Sequence, residues 1–236
     1  MKYTRMFFLG AALLLLASRT FAQGAEKYII NHFVNDPKVI EAHLVITDVQ
    51  GKGPIVNMTF YDNDGNVIGK GKELIQPYGK LNLNPEKYVS KVANGTIHIE
   101  ASGGNIVAEY WQFYKNAAES WKNTTTVGQE AVGYSKLVCP HFVSDPDVEV
   151  YIVLANPDGK DAVVNVVFHD DAGREVGKAR ELVRANGKTV ILPHNVIKSK
   201  ATGVAFITAE GGRVTADYWQ AEAKKSYQIA TPIAGI

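Results

Sequence analysis

The residue types that most often perform catalysis occur along the chain, but their spacing forms no known catalytic motif. A Gly-x-Ser-x-Gly nucleophile motif, a phosphate loop and a dinucleotide fingerprint are all absent from the sequence. The histidines show no His-x-His or His-x-x-x-His spacing, so we predict no zinc site. We therefore expect no catalytic residues, no metal and no cofactor, and a protein that is not an enzyme. The six histidines are His32, His43, His98, His141, His169 and His194.

One acidic turn has the beginning of a calcium-binding loop. Residues 62–66 read Asp-Asn-Asp-Gly-Asn, and Glu73 stands at the twelfth position, where such a loop requires a glutamate. In the similar stretch at residues 170–174, Ala172 and Arg174 replace oxygen-bearing side chains. The residues after the turn also alternate like a strand, which would carry Glu73 away from it. We favour a plain hairpin turn.

Two histidines and the single cysteine allow a structural or a chemical interpretation. His32 and His141 each precede a phenylalanine and an Asp-Pro pair. We interpret each as a strand-end histidine that is hydrogen-bonded to the nearby Asp36 or Asp145, with a ligand role as the alternative. Cys139 stands in an apolar run, so we expect a buried side chain, with an intermolecular bridge as the alternative.

An internal duplication organises the chain around these residues. Residues 57–112 and residues 165–220 share 21 identities in 56 positions without a gap. The shared positions include Phe60 and Phe168, Asp62 and Asp170, Gly65 and Gly173, and the Tyr-Trp-Gln triplets at residues 110–112 and 218–220. Each copy has about 100 residues, which is the size of a domain and not of a solenoid repeat.

Apolar and polar residues alternate with a period of two in several short segments of each copy. Residues 42–46, 56–60 and 97–101 show this pattern, which is typical of strands with one buried side. No helical periodicity of useful length occurs after the first 22 residues. The pattern predicts strands in the first copy at 27–34, 38–47, 54–62, 66–75, 79–84, 95–102 and 105–113, with equivalents in the second copy.

Seven short strands in about 100 residues is the count of an immunoglobulin-like sandwich. The pattern resembles the tandem immunoglobulin-like β-sandwich modules of secreted and surface proteins of bacteria. This resemblance implies an all-β fold of two tandem immunoglobulin-like antiparallel β-sandwiches, and no activity. We assign the repeats to residues 23–115 and 134–236, with the polar segment 116–133 as a linker.

Side-chain alternation predicts which residues point outward. In an immunoglobulin-like order the third, sixth and seventh strands belong to one sheet. Their outward side chains would form one aromatic face in each repeat, beside a carboxylate, and such a face suits stacking on sugar rings or docking of a protein. The alternative is that each tryptophan covers a linker, a chain end or the other domain. The candidate binding residues are Tyr61, His98, Glu109 and Trp111 in the first repeat, and His169, Phe206, Asp217 and Trp219 in the second.

The first 22 residues have the pattern of a secretory signal. A basic start is followed by the apolar run 6–17 and by small residues at Thr20 and Ala22, which predicts cleavage after Ala22. The apolar run is shorter than the roughly 20 residues that span a bilayer, so we expect no membrane insertion after cleavage. The remaining chain has 22 basic and 24 acidic side chains and no basic block, which argues against a nucleic-acid partner.

Together these patterns predict a protein exported to the periplasm, the cell surface or the extracellular space. We expect a non-enzymatic binding, adhesion or scaffold protein that uses the outer aromatic faces, with a protein or carbohydrate partner. The alternative is a structural subunit of a filament or surface layer that self-associates by strand addition. Its basis is the two apolar, β-prone segments at residues 28–30 and 227–236, which could pair with a neighbour's sheet edge.

Overall fold

The computed structural model describes residues 24–222 and 226–236, and the predicted signal peptide, residues 1–22, lies outside them. The described chain is nearly all β-strand. The first repeat contains β1 (Lys27–Asn35), β2 (Ile40–Asp48), β3 (Ile55–Asp62), β4 (Val67–Leu74), β5 (Lys80–Leu83), β6 (Ala93–Ser102), β7 (Ile106–Tyr114), β8 (Thr124–Val127) and β9 (Gln129–Glu130). The second contains β10 (Lys136–Ser144), β11 (Glu149–Ala155), β12 (Ala162–Asp170), β13 (Glu175–Val183), β14 (Lys188–Ile191), β15 (Ala201–Glu210), β16 (Thr215–Glu222), β17 (Tyr227–Pro232) and β18 (Ala234–Gly235). Three short helical segments, Pro85–Lys87, Ala117–Lys122 and Pro193–Val196, lie between strands.

Each repeat has two antiparallel sheets that bury one side against each other. The first repeat has the sheets β4-β3-β6-β1-β9 and β5-β2-β7-β8, and the second has β13-β12-β15-β10-β18 and β14-β11-β16-β17. Strands of both sheets contribute to one apolar core in each repeat. Phe33 meets Phe60 edge-on at 5.6 Å in the first core, and Phe142 meets Phe168 at 5.1 Å in the second. The strands confirm the all-β class that the period-two alternation predicts, and β2, β3 and β12 bury alternate side chains as that pattern requires.

The predicted placement of the seventh strand is wrong. The predicted immunoglobulin-like order has this strand in one sheet with the third and sixth strands, but β7 pairs with β2 along its whole length, in the opposite sheet. The second repeat repeats this arrangement, because β16 pairs with β11. The outward residues of β3 and β6 and those of β7 therefore lie on opposite sides of the sandwich.

Part of the segment that we expected to be a linker, residues 116–133, completes the sheets of the first repeat. Within it, β8 pairs with β7 and β9 pairs with β1. In the second repeat, β17 and β18 pair with β16 and β10 in the same way. Each repeat thus ends in a short strand on each sheet.

The β3–β4 turn of the first repeat docks on the second repeat. Gly65 has a left-handed backbone, with φ of +80°, in a turn that Asp62 closes by accepting from the Gly65 amide at 3.0 Å. The neighbouring Asn63 carbonyl accepts from the amide of Lys188 at 3.0 Å. A Cβ on Gly65 would lie 1.9 Å from the carbonyl oxygen of Ala185. The turn therefore fits against the second repeat only because residue 65 has no side chain.

The duplication supplies a matched control for this contact. Gly173 occupies the same turn in the second repeat with φ of +78°, and a Cβ there would meet nothing within 4 Å. We expect Gly173→Ala to lower the free energy of unfolding by about 1 kcal/mol through backbone strain alone. Gly65→Ala should cost about 2 kcal/mol more, because it also pushes the repeats apart. Urea unfolding of both variants measures the difference, and equal losses would contradict the docked turn.

Candidate functional site

The first repeat has an open aromatic face on the outer side of β2 and β7. We call it the open face and define it by His43, Glu109, Trp111 and Phe113. Trp111 is 38% exposed, and its Nε1 donates to Glu109 Oε2 at 2.9 Å. The ring of Phe113 lies 6.1 Å from that of Trp111 and 6.0 Å from that of His43. These side chains line up because alternate residues of neighbouring strands share one side of a sheet.

The equivalent face of the second repeat is covered by the first repeat. Trp219 and Asp217 occupy the positions of Trp111 and Glu109, but they are only 4% and 1% exposed. The Trp219 ring packs edge-on against His32 of the first repeat at 5.0 Å. For Trp219, the interpretation that a tryptophan covers the other domain is therefore correct, and this covered face is a contact between domains.

The covered face places a carboxylate in a buried cluster of polar side chains. Gln129 Nε2 donates to Asp217 Oδ1 at 2.7 Å and to the carbonyl of Ala216 at 2.7 Å. Thr126 Oγ1 donates to Asp217 Oδ2 at 3.4 Å, and Asn31 also hydrogen-bonds to this carboxylate. Thr215 Oγ1 donates to Asn31 Oδ1 at 2.6 Å. We call these five side chains the inter-repeat cluster: Asn31, Thr126 and Gln129 from the first repeat, and Thr215 and Asp217 from the second.

Burial shifts the pKa values of three groups at this interface, Asp217, Lys188 and His32. It raises the pKa of Asp217 to about 7, although hydrogen bonds and Lys188 act in the opposite direction. It lowers the pKa of Lys188 to about 7, with Asp217 partly opposing the shift. The Lys188 ammonium contacts His32 Nδ1, and burial together with this cation keeps the pKa of His32 well below its ordinary value. The interface therefore contains groups of both charge signs that titrate near neutral pH.

The remaining candidates form two pairs on the other sheets. The ring centroids of Tyr61 on β3 and His98 on β6 lie 4.7 Å apart. Those of His169 on β12 and Phe206 on β15 lie 5.5 Å apart. Burial lowers the pKa of His98 to about 4. These pairs share a face as the alternation predicts, but the strand pairing separates them from Trp111 and Trp219. A single face in each repeat that combines all the outward aromatic residues is therefore not formed.

The acidic turn and the cysteine have structural partners. Asp62 Oδ1 accepts from the amides of Asp64 and Asn66 at 3.1 Å and 2.9 Å, which closes a hairpin turn. Glu73 instead binds Lys87 Nζ at 2.6 Å, away from that turn. Cys139 is a buried free thiol, as expected, and burial raises its pKa to about 11. Over the described ranges, no group of three or more His, Cys, Asp or Glu residues could hold a metal ion.

A cleft of about 450 Å³ opens beside the covered face, between the two repeats. Both repeats supply its walls, and buried as well as exposed charges line it. We call it the inter-repeat cleft, and its lining includes His32, Gln112, Tyr114 and Lys122 of the first repeat and Glu149, Tyr151, Lys188 and Trp219 of the second.

The sequence patterns do not identify the contacts of several residues at this interface. The predicted partner of His32 is Asp36, but His32 contacts Lys188 and Trp219. Gln129 lies in the predicted linker. A signal was present in the duplication, because Ala234 of the second repeat occupies the position of Gln129. Where one repeat has a polar residue and the other repeat has an apolar residue at the equivalent position, the polar residue can mark a contact between repeats.

Comparison with known proteins does not place the chain in a family. No family model and no curated protein matches it. Among solved structures, Thermotoga maritima 1070 is 21% identical, with 45% of this chain and 95% of that chain covered and a TM-score of 0.38. The Anabaena sensory rhodopsin transducer is 15% identical over 37% and 83% of the two chains, with a TM-score of 0.32. A glycosyl hydrolase family 2 member from Bacteroides cellulosilyticus DSM 14838 is 14% identical over 89% and 28%, with a TM-score of 0.18.

The described residues include no helix that is long and apolar enough to cross a membrane.

The raised pKa of Asp217 predicts how stability depends on pH. A carboxyl group whose folded pKa exceeds its unfolded value stabilises the fold fully at low pH, and this contribution is lost as pH rises through the folded pKa. The free energy of unfolding of the wild type, relative to that of Asp217→Asn, should therefore fall by about 2–4 kcal/mol between pH 4 and pH 7.5. Urea unfolding of both proteins across this range measures it, and a difference that does not change with pH would contradict the raised pKa.

Proposed function

We propose that the chain is an exported, non-enzymatic binding and scaffold protein whose docking surface is the open face of the first repeat. One observation carries the proposal. The same face of the second repeat is already a docking surface, because the first repeat covers its Trp219 and Asp217. A duplicated unit that packs one copy of this face against a domain has the shape and chemistry to pack the other copy in the same way.

A second copy of the chain is the partner that fits the open face. In the internal contact, Trp219 packs on His32. The equivalent of His32 in the second repeat is His141, and it is exposed, as is the adjacent Pro140. The second repeat of one molecule therefore offers to Trp111 of another the histidine that the first repeat offers to Trp219. A contact of this head-to-tail kind would continue the internal arrangement from one molecule to the next.

The polar part of the contact has changed between the two repeats, which makes the contact between molecules weaker than the internal one. Glu109 replaces Asp217 and bonds Trp111 within its own strand. Ala234 replaces Gln129, so the second repeat has no amide to offer this carboxylate. The proposed association therefore depends on the aromatic contact, and we expect it to be reversible.

Strand addition is a less favourable route to assembly. Residues 28–30 lie in β1, which already pairs with β6 on one side and β9 on the other. Residues 227–232 pair with β16, and residues 234–235 pair with β10. Residues 28–30 would have to leave their sheet to join a neighbour, because β1 already has a partner on each side. β17 and β18 are edge strands, so strand addition there stays the alternative, whereas the open face already presents its side chains without any change in strand pairing.

The proposal also covers fold type and location. We propose an immunoglobulin-like sandwich in which the first and seventh strands have exchanged sheets. The β2–β5 and β3–β6 pairs follow the immunoglobulin order, whereas β1 joins β6, β7 joins β2, and β4 joins β3 instead of β5. The signal-like pattern of residues 1–22 supports export to the periplasm, the cell surface or the medium.

Sedimentation velocity of the purified protein tests the docking surface. We expect a concentration-dependent shift toward dimers and longer assemblies, which Trp111→Ala and His141→Ala reduce. Trp111→Ala should change the free energy of unfolding by less than about 1 kcal/mol, because the side chain is partly exposed.

Trp219→Ala is the matched control, because the same residue type is buried there. It should cost about 3 kcal/mol or more in urea unfolding. A wild type that stays monomeric at all concentrations would overturn the proposed docking surface, and so would association that Trp111→Ala leaves unchanged.

A further inference from the structure

Two residues that line the inter-repeat cleft each have a buried polar atom that lacks a hydrogen-bond partner. The atoms are Gln112 Oε1, an acceptor, and Trp219 Nε1, a donor, and no described residue bonds either atom. Gln112 is 2% exposed and Trp219 is 4% exposed. Buried polar groups in folded proteins are nearly always paired, so an unpaired donor and an unpaired acceptor on one cleft require an explanation.

The duplication shows that both side chains can be satisfied within a repeat. The counterpart of Trp219 is Trp111, whose Nε1 donates to Glu109 at 2.9 Å. The counterpart of Gln112 is Gln220, whose Oε1 accepts from Tyr218 at 2.6 Å. Only the two members of these pairs that line the inter-repeat cleft lack partners. Both atoms are buried beneath the surface of the cleft. A ligand with one acceptor and one donor would complete them if the side chains that cover them shift on binding.

The rest of the lining defines the chemistry of such a ligand. Tyr114, Tyr151 and the Trp219 ring supply aromatic surface, and Val153, Val190 and Leu192 supply apolar surface. The cations are Lys188 and Lys122, of which Lys122 lies 3.8 Å from Glu119. Glu149 is the carboxylate of the lining, and it accepts from the Tyr151 hydroxyl at 3.2 Å. Aromatic and apolar walls with a few polar groups are typical of small-molecule sites, and about 450 Å³ falls within their usual size.

We propose that the inter-repeat cleft binds a small aromatic carboxylate that carries a hydroxyl group. The carboxylate accepts from Trp219 Nε1 and faces Lys188, the hydroxyl donates to Gln112 Oε1, and the ring packs among the tyrosines. A sugar acid fits less well, because its ring offers less flat apolar area than an aromatic ring does to Tyr114, Tyr151 and Val190. This site is separate from the open face and does not depend on the proposed self-association.

The charged groups around Lys188 make binding of an anion depend on pH. Lys188 faces His32 on β1 and Asp217 on β16, and Lys122 and Glu149 line the same cleft. Burial lowers the pKa of Lys188 to about 7 and raises the pKa of Asp217 to about 7. As pH falls from 8 to 6, the lysine gains charge and the aspartate loses it. Both changes favour a bound carboxylate, so affinity should increase toward pH 6.

Isothermal titration calorimetry of the full protein with four probes tests the site. The probes are 3- and 4-hydroxybenzoate, benzoate, which lacks the hydroxyl, and glucuronate, a sugar acid. We expect one of the hydroxybenzoates to bind with a Kd below about 1 mM, and benzoate to bind about tenfold more weakly. Affinity for the hydroxybenzoate should be higher at pH 6 than at pH 8.

Two variants assign the contacts, and thermal unfolding confirms that each is folded. Trp219→Phe keeps an aromatic ring but removes the donor, so it should weaken the binding of both hydroxybenzoate and benzoate about tenfold. The control Trp111→Phe should leave both affinities unchanged. Gln112→Met should abolish the preference for hydroxybenzoate over benzoate. No binding of either hydroxybenzoate by the wild type would overturn the proposal, as would tighter binding of glucuronate or equal affinities in Trp219→Phe and the wild type.

Discussion

The buried carboxylate of Asp217 constrains the arrangement of the whole molecule. A carboxylate that is 1% exposed cannot rely on water, so protein groups must donate to it. Its own repeat does not supply all these donors, and Gln129, Thr126 and Asn31 come from the first repeat. In the observed orientation of the second repeat, these three donors reach the carboxylate. That orientation buries Trp219, brings the β3–β4 turn against Lys188 and leaves the inter-repeat cleft beside them.

A small number of substitutions gives equivalent faces of the two repeats different surroundings. The open and covered faces share a tryptophan next to an acidic residue, but Glu109 bonds Trp111 at the surface whereas Asp217 bonds the other repeat. Gln129 has an alanine as its counterpart in the second repeat. Because the short carboxylate of Asp217 meets an amide donor, Gln129, at the face of the second repeat, that face closes within the chain. On the other face Trp111 stays 38% exposed.

The sequence predicts the strands well, because the period-two alternation and the turn glycines are local properties. All seven predicted strands of the first repeat occur within two residues of their predicted ends. The sheet of β7 could not be predicted in this way. Alternation identifies the buried side of a strand, but both sheets of a sandwich bury one side, so the pattern does not tell which sheet the strand joins. The pairing of β7 with β2 depends on contacts far apart in sequence.

For the candidate site, the sequence predicts the direction of the side chains but not their exposure. Trp111 and Trp219 point outward as expected, but exposure depends on what packs outside the sheet. Glu109 and Asp217 are equivalent by sequence, and nothing local distinguishes the surface carboxylate from the buried one. His32 and Lys188 are 156 residues apart, and only the docking of the repeats brings them together.

A double-mutant cycle between Gln129 and Asp217 tests the central claim most directly. The free energy of unfolding is measured in urea for the wild type, Gln129→Ala, Asp217→Ala and the double variant. Because the amide and the carboxylate bond each other across the repeats at 2.7 Å, we expect a coupling free energy of about 1–3 kcal/mol. If the losses in free energy of unfolding of the two single variants add up to the loss of the double variant within about 0.3 kcal/mol, the account is contradicted. The two repeats would then not be joined by this interaction.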